Sequence, residues 1–181
     1  KNKPLFLVLL GSILGFGRNI IQVGGAVFVV IAYDNEGYFT LIGGAIIAGM
    51  VLASFLTPLL LSKIRDKPLM IGSTLFAAAA YAAMYALGIS NLYVMMGMIF
   101  LTGLTLGIFS VVQTTMIADA VDGMERKTGV RNDGIAFSSL TFVSKLMGSL
   151  AVLVFGAALA YLGYEKGVEI SERMKDSVYM T

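Results

Sequence analysis

Two cations stand where a membrane-crossing helix would carry only apolar side chains, Arg18 and Lys145. Arg18 falls roughly 20 Å into a helix about 43 Å long, and Lys145 about 15 Å into its own apolar run. A charge at the bilayer centre costs at least about 2.5–3.5 kcal/mol unless water or a partner reaches it. Every Asp and Glu of the chain lies at the end of an apolar run, in a loop or in the C-terminal tail, so none inside a run can neutralise either cation. Snorkelling along the aliphatic stem would serve Lys145 better than Arg18. The countercharges are therefore expected from outside this segment, on intramembrane carboxylates of another bundle.

The neighbours of each cation extend the polar surface. Gln22 follows Arg18 by four residues and shares its helical face, with Asn19 beside them. Ser138, Thr141, Lys145 and Gly148 recur at spacings of three, four and three, and Gln113, Thr114 and Thr115 lie in the inner half of another run. A lone hydroxyl in a membrane helix bonds its own backbone, but a stripe that includes a charge lines a cavity. A second cluster, between Met116 and Gly134, holds Asp119, Asp122, Glu125, Arg126, Lys127 and Arg131. Asp119 and Asp122 stand at a helix C-terminus, where carboxylates oppose the macrodipole. They call for cationic partners, within the loop or on another bundle.

The elements that hold these residues follow from composition. Of 181 residues, 57% are hydrophobic and 13% charged, and the mean hydropathy is +0.86. A soluble domain of this length needs roughly a quarter of its residues charged, so most of this surface faces lipid. The chain is an all-α integral membrane protein. Five runs are long enough for a bilayer core of about 30 Å: 5–33, 39–62, 69–89, 92–118 and 135–161. Pro4 and Pro68 stand at helix starts, and Asp34–Gly37 and Gly88–Asn91 form short turns. The second turn is so short that the third and fourth runs must pair antiparallel. Gly103-x-x-x-Gly107, Gly43, Gly44 and Gly49 allow close helix contact.

Lys1, Lys3, Lys63, Arg65, Lys67, Arg126, Lys127 and Arg131 all fall at one end of the runs, and the two opposite short loops carry no basic residue. The excess marks the cytoplasmic side, so the N-terminus is read as cytoplasmic and the tail as external in a multi-pass cell-membrane protein. Residues 1–163 form the bundle, and 164–181 read as an external loop leading to a sixth span beyond Thr181. A net charge of +2 without a basic-aromatic patch argues against nucleic acid. With no His, no Cys and no intramembrane carboxylate, the chain has no evident base, nucleophile or metal ligand. It is read as a non-enzyme that needs no cofactor.

The loop resembles a known family. The pattern Ala118-Asp119-x-x-Asp122-x-x-Glu125-x-Lys127-Thr128-Gly129-x-Arg131, followed by Ser138-x-x-Thr141-Phe142-x-x-Lys145, is similar to the glycoside–pentoside–hexuronide:cation symporters of the major facilitator superfamily. The likeness runs from Arg18-Asn19-Ile20 through Arg65-Asp66-Lys67-Pro68 to Gly148, and aligns the five spans with helices 7–11 of a twelve-helix transporter. It implies that Lys145 lies close to the cation and sugar sites, where it competes with or senses the cation, and that Thr141 lies beside the sugar. Gln113 and Asn19 then hydrogen-bond sugar hydroxyls. Asp119, Asp122, Glu125 and Arg131 pair charges in a cytoplasmic network that holds two bundles together, and Arg18 pairs between bundles. The cation carboxylates sit mainly in the N-terminal six-helix half. Gly123 replaces a frequent tyrosine, Leu140 a frequent glutamine, and Ser110 an aromatic that serves as a sugar platform in the family's best-known member. These departures bear on which sugar is carried.

The resemblance implies uptake of a sugar or glycoside coupled to Na⁺ or H⁺, with Li⁺ a third candidate, by alternating access. An uncoupled facilitator or exporter of a polar solute on the same fold is the rival expectation. A membrane-embedded enzyme and a five-helix adaptor are weaker ones.

Overall fold

A computed structural model describes residues 3–14, 36–87 and 91–161. The described residues form five helices, α1 (Lys3–Leu14), α2 (Glu36–Leu61), α3 (Asp66–Leu87), α4 (Leu92–Thr128) and α5 (Asp133–Tyr161), and no strand. Four stretches, Thr40–Leu61, Asp66–Leu87, Leu92–Thr128 and Asp133–Tyr161, are long and apolar enough to cross a membrane, and α1 is a shorter apolar helix. The remainder of the expected first span, including Arg18, Asn19 and Gln22, lies outside the described residues, as does the tail from 162 onward.

Large apolar side chains on these helices face outward, among them Phe55, Leu59, Ile71, Leu75, Phe142 and Leu153. In water such a surface would aggregate; in lipid it is the ordinary condition of a helix whose backbone groups are satisfied internally. Polar side chains in the spans follow the same logic. Thr57, buried in α2, donates to the Ala53 carbonyl at 2.6 Å, immediately before Pro58 deprives the helix of a donor.

The chain divides into two compact units. In the first, α2 from Thr40 packs with α3 and α4. Ile46, Gly49, Met50 and Ala53 of α2 meet Phe100, Gly103, Leu104 and Gly107 of α4, each set at spacings of three, one and three. A Cβ on Gly49 would run into the Phe100 carbonyl oxygen, one on Gly103 into that of Ile46, and one on Gly107 would lie 3.0 Å from Met50 Cα. Small residues thus let two backbones touch. Gly43 and Gly44, which the sequence grouped with Gly49, meet nothing within 4 Å, because the contact begins at Ile46, beyond them.

α3 buries Leu69, Ser73, Ala77 and Ala80 along one stripe and pairs closely with α4. Ala53, Leu69, Ile108 and Val112 join the three helices in one apolar cluster. Asn91 caps α4 by accepting from the Tyr93 and Val94 amides at 3.0 and 3.4 Å. The second unit pairs α1 with α5, which buries Ala136, Met147, Ala151 and Phe155.

Candidate functional site

The charged end of α4 owes its position to helix length. Thirty-seven residues make about 55 Å of helix, against a hydrocarbon core of about 30 Å. The sequence ends its apolar run at Ala118; the helix continues ten residues further, so Asp119, Asp122, Glu125, Arg126 and Lys127 ride on a projecting stalk. The stalk stops at Gly129, whose left-handed backbone (φ 71°) lets its amide reach the Glu125 carbonyl at 2.7 Å. Thr128 Oγ1 accepts from the Val130 amide at 3.3 Å, turning the chain back.

That reversal returns Arg131 to the face of Asp122 and Glu125, which lie three residues apart. Its Nη1 donates to Glu125 Oε2 at 2.9 Å and stands 3.0 Å from Asp122 Oδ1. Asp122 Oδ1 is shielded from water yet makes no aligned hydrogen bond, so its contact with the guanidinium is a charge pairing and the directed bond goes to Glu125. All three side chains are about half exposed, which limits each pair to about 1 kcal/mol or less. Arg131 also offsets carboxylates placed at the negative end of a helix dipole.

One turn earlier, Asp119 meets Asp66 in the first turn of α3. Asp119 lies about 40 Å along α4, beyond the hydrocarbon span. Asp119 is exposed as a residue, yet partial burial of its carboxyl holds it above the usual carboxylate range, and a hydrogen bond with Asp66 and the charges of Asp66 and Asp122 act the same way, opposed by Arg126. Two carboxylates this close hold a proton more readily than either alone.

The other expected site residues are placed as follows. Thr141 and Lys145 share the exposed side of α5, one turn apart, with Ser138 one turn earlier. The Thr141 hydroxyl donates to the Phe137 carbonyl at 2.9 Å, and that of Ser138 to Ile135 at 3.2 Å, leaving both oxygens able to accept. α1 and α5 hold a single carboxylate, Asp133 in the first turn of α5, about 18 Å along the helix from Lys145. Gln113 is buried on α4 rather than displayed. Gln113 and Lys145 belong to different units.

One feature escaped the sequence reading. Between Leu101 and Ala118 the exposed positions of α4 are Ser110 and Thr114, four apart on one face, and Thr114 Oγ1 donates to the Ser110 carbonyl at 2.9 Å. Large apolar side chains dominate the exposed positions of the other helices, with Ser54 and Thr74 also exposed; on this stretch of α4 both exposed residues carry hydroxyls. The sequence shows the spacing of four, but not that this face of α4 is left uncovered.

The family model described as MFS/sugar transport protein matches residues 1–180. Among curated proteins, the chain is 24% identical over 162 residues to the Glucuronide carrier protein homolog of Escherichia coli (strain K12), a match covering 86% of this chain and 35% of the relative. The chain therefore spans about a third of the length of that relative.

Proposed function

Because the chain belongs to the MFS/sugar transport protein family, we propose that it is part of a secondary transporter that takes up a sugar or glycoside with Na⁺ or H⁺ by alternating access. The observation that carries this reading is Lys145, an exposed cation on an apolar membrane helix, one turn from an exposed threonine and far from the carboxylate of its own helix pair. A cation so placed needs a negative partner from elsewhere. In a symporter that partner is a carboxylate of the N-terminal six-helix half, where the coupling ion also binds. Thr141, Ser110 and Thr114 offer hydroxyls to sugar, and Asn19 and Gln113 complete the expected set.

The end bearing Lys63, Arg65, Lys67, Arg126, Lys127 and Arg131 is taken as cytoplasmic. There the Asp122–Glu125–Arg131 network acts as part of a closure that opens when the site faces inward, with Arg18 pairing between bundles. No step calls for enzymatic chemistry.

A second reading concerns the substrate. The Escherichia coli relative is named for glucuronides, sugars that carry a carboxylate. Lys145 would then neutralise the substrate itself rather than sense the coupling ion. The test is uptake of a labelled glucuronide and the matching neutral glucoside into vesicles holding the full protein, with and without inward Na⁺ and H⁺ gradients. Accumulation that follows one gradient supports symport, and equilibration alone moves the protein to uncoupled facilitation. A preference for the glucuronide that vanishes in Lys145→Ala assigns the carboxylate to Lys145.

A further inference from the structure

A groove of about 260 Å³ runs between α3 and α4, lined by Ile64, Pro68, Gly72, Phe76, Leu104 and Ile108 among others. Its two hydroxyl-bearing residues, Ser73 and Thr105, donate to the carbonyls of Met70 at 2.9 Å and Thr102 at 2.7 Å. Each hydroxyl proton is thus satisfied within its own helix, and the lining suits a hydrocarbon occupant. Gly72 leaves its wall open, since a Cβ there would meet nothing within 4 Å.

The chain beside the Ile64 and Pro68 end of the groove is basic. Ile64 lines it from the turn between α2 and α3, and that turn is held by bonds from the Lys63 and Ile64 amides to the Leu60 carbonyl at 3.0 and 2.8 Å. Lys63 and Arg65 flank Ile64, and Lys67 follows in the first turn of α3; all three are exposed. Among the described residues none of the three forms an ion pair. Two acids meet at this end, Asp66 and Asp119, and against Lys63, Arg65 and Lys67 they leave a net positive charge. An apolar slot with cations next to its lining residues at one end suits one kind of molecule in a membrane, a lipid whose phosphate sits at the interface while a chain descends into the slot.

We propose that this groove binds an acyl chain of an anionic phospholipid whose phosphate is held by Lys63, Arg65 and Lys67. The groove belongs to a different unit from Lys145 and Thr141, and its occupancy does not depend on which solute is carried. A seated lipid would fill the gap between α3 and α4 near the turn that joins α2 to α3.

The test uses the full protein, purified and stripped of lipid, with phosphatidylglycerol and phosphatidylcholine of identical chains supplied at equal concentration. Retained lipid is counted by native mass spectrometry. The unaltered protein should keep phosphatidylglycerol at least tenfold better. Removing charge in K63Q/R65Q/K67Q should lower that preference about fivefold per cation. Gly72→Phe, which fills the slot from an open position, should reduce retention of both lipids while leaving Tm in lipid-free detergent unchanged. Glycerol phosphate, a headgroup without chains, should not displace the lipid. Equal retention of the two lipids, a preference that survives K63Q/R65Q/K67Q, or displacement by the bare headgroup would overturn the proposal. A Gly72→Phe protein with lowered Tm and unchanged lipid retention would also overturn it, by showing that a helix rather than a lipid covers the groove.

Discussion

Gly103 of α4 lies so close to Ile46 of α2 that a Cβ added to the glycine would run into the Ile46 carbonyl oxygen and come within 2.9 Å of its Cα. The obstacle is backbone, which cannot rotate aside as a side chain would. Even Gly103→Ala should therefore push the helices apart, at about 1–3 kcal/mol, read as a lowered Tm in detergent. Gly43→Ala is the control: its Cβ meets open space and alanine favours helix, so its Tm should hold or rise slightly. Equal effects at both positions would contradict the described contact.

Arg131 serves two acids, and its removal should differ from removal of either acid. Glu125→Gln loses a half-exposed pair and should cost under about 1 kcal/mol, less in high salt. Arg131→Gln leaves Asp122 and Glu125 together at a helix C-terminus and should cost more than Glu125→Gln. The charge exchange Glu125→Arg with Arg131→Glu should recover part of the loss, because the pair is made again. Thermal unfolding at two salt concentrations separates these outcomes.

Asp119 gives stability a pH dependence of definite sign. Its carboxyl is held above the ordinary value of 3.8, so the folded chain binds more protons than the unfolded one between that value and its raised one. Stability from this group is fully present below 3.8 and is lost as pH rises through the raised value. Asp119→Asn removes the loss. The Tm difference, variant minus unaltered protein, should move in the variant's favour as pH climbs from 4 to 7. A difference that stays flat or moves the other way would contradict the raised Asp119 carboxyl.

Ser110 and Thr114 form the hydroxylic face of a helix otherwise closed between Leu101 and Ala118. If that face meets solute, Ser110→Phe should cut uptake at least tenfold while Tm stays within a degree or two, since an exposed position accepts a larger side chain without repacking. Unchanged uptake would place this face against lipid or protein.

Lys145→Arg keeps the charge and Lys145→Ala removes it. The proposed role expects Lys145→Ala to abolish accumulation or its cation dependence, and Lys145→Arg to retain part of both, because arginine places its charge differently. An alanine protein that accumulates solute with unchanged cation dependence would reduce Lys145 to a structural residue.

Much of this protein could be read from its sequence, because the bilayer imposes a one-dimensional rule. Apolar runs such as 39–62 and 135–161 must be helices, since no other single segment satisfies its own backbone in lipid. The short turn ending at Asn91 left α3 and α4 no arrangement but side by side. Spacing alone also made Asp122 and Glu125 neighbours. Three-dimensional packing decided the rest. Hydropathy ends the fourth span at Ala118 because charges begin there, yet the hydrogen-bond ladder continues to Thr128, since charged residues form helix as readily as leucine does once out of the lipid. Which glycines touch depended on where α2 crosses α4, and that is set by the fit of Ile46, Met50 and Ala53 against Gly103 and Gly107. The meeting of Asp66 with Asp119, fifty-three positions apart, follows from antiparallel pairing and the depth at which α3 starts. Periodicity names the face of a helix; only its neighbour determines whether that face is covered.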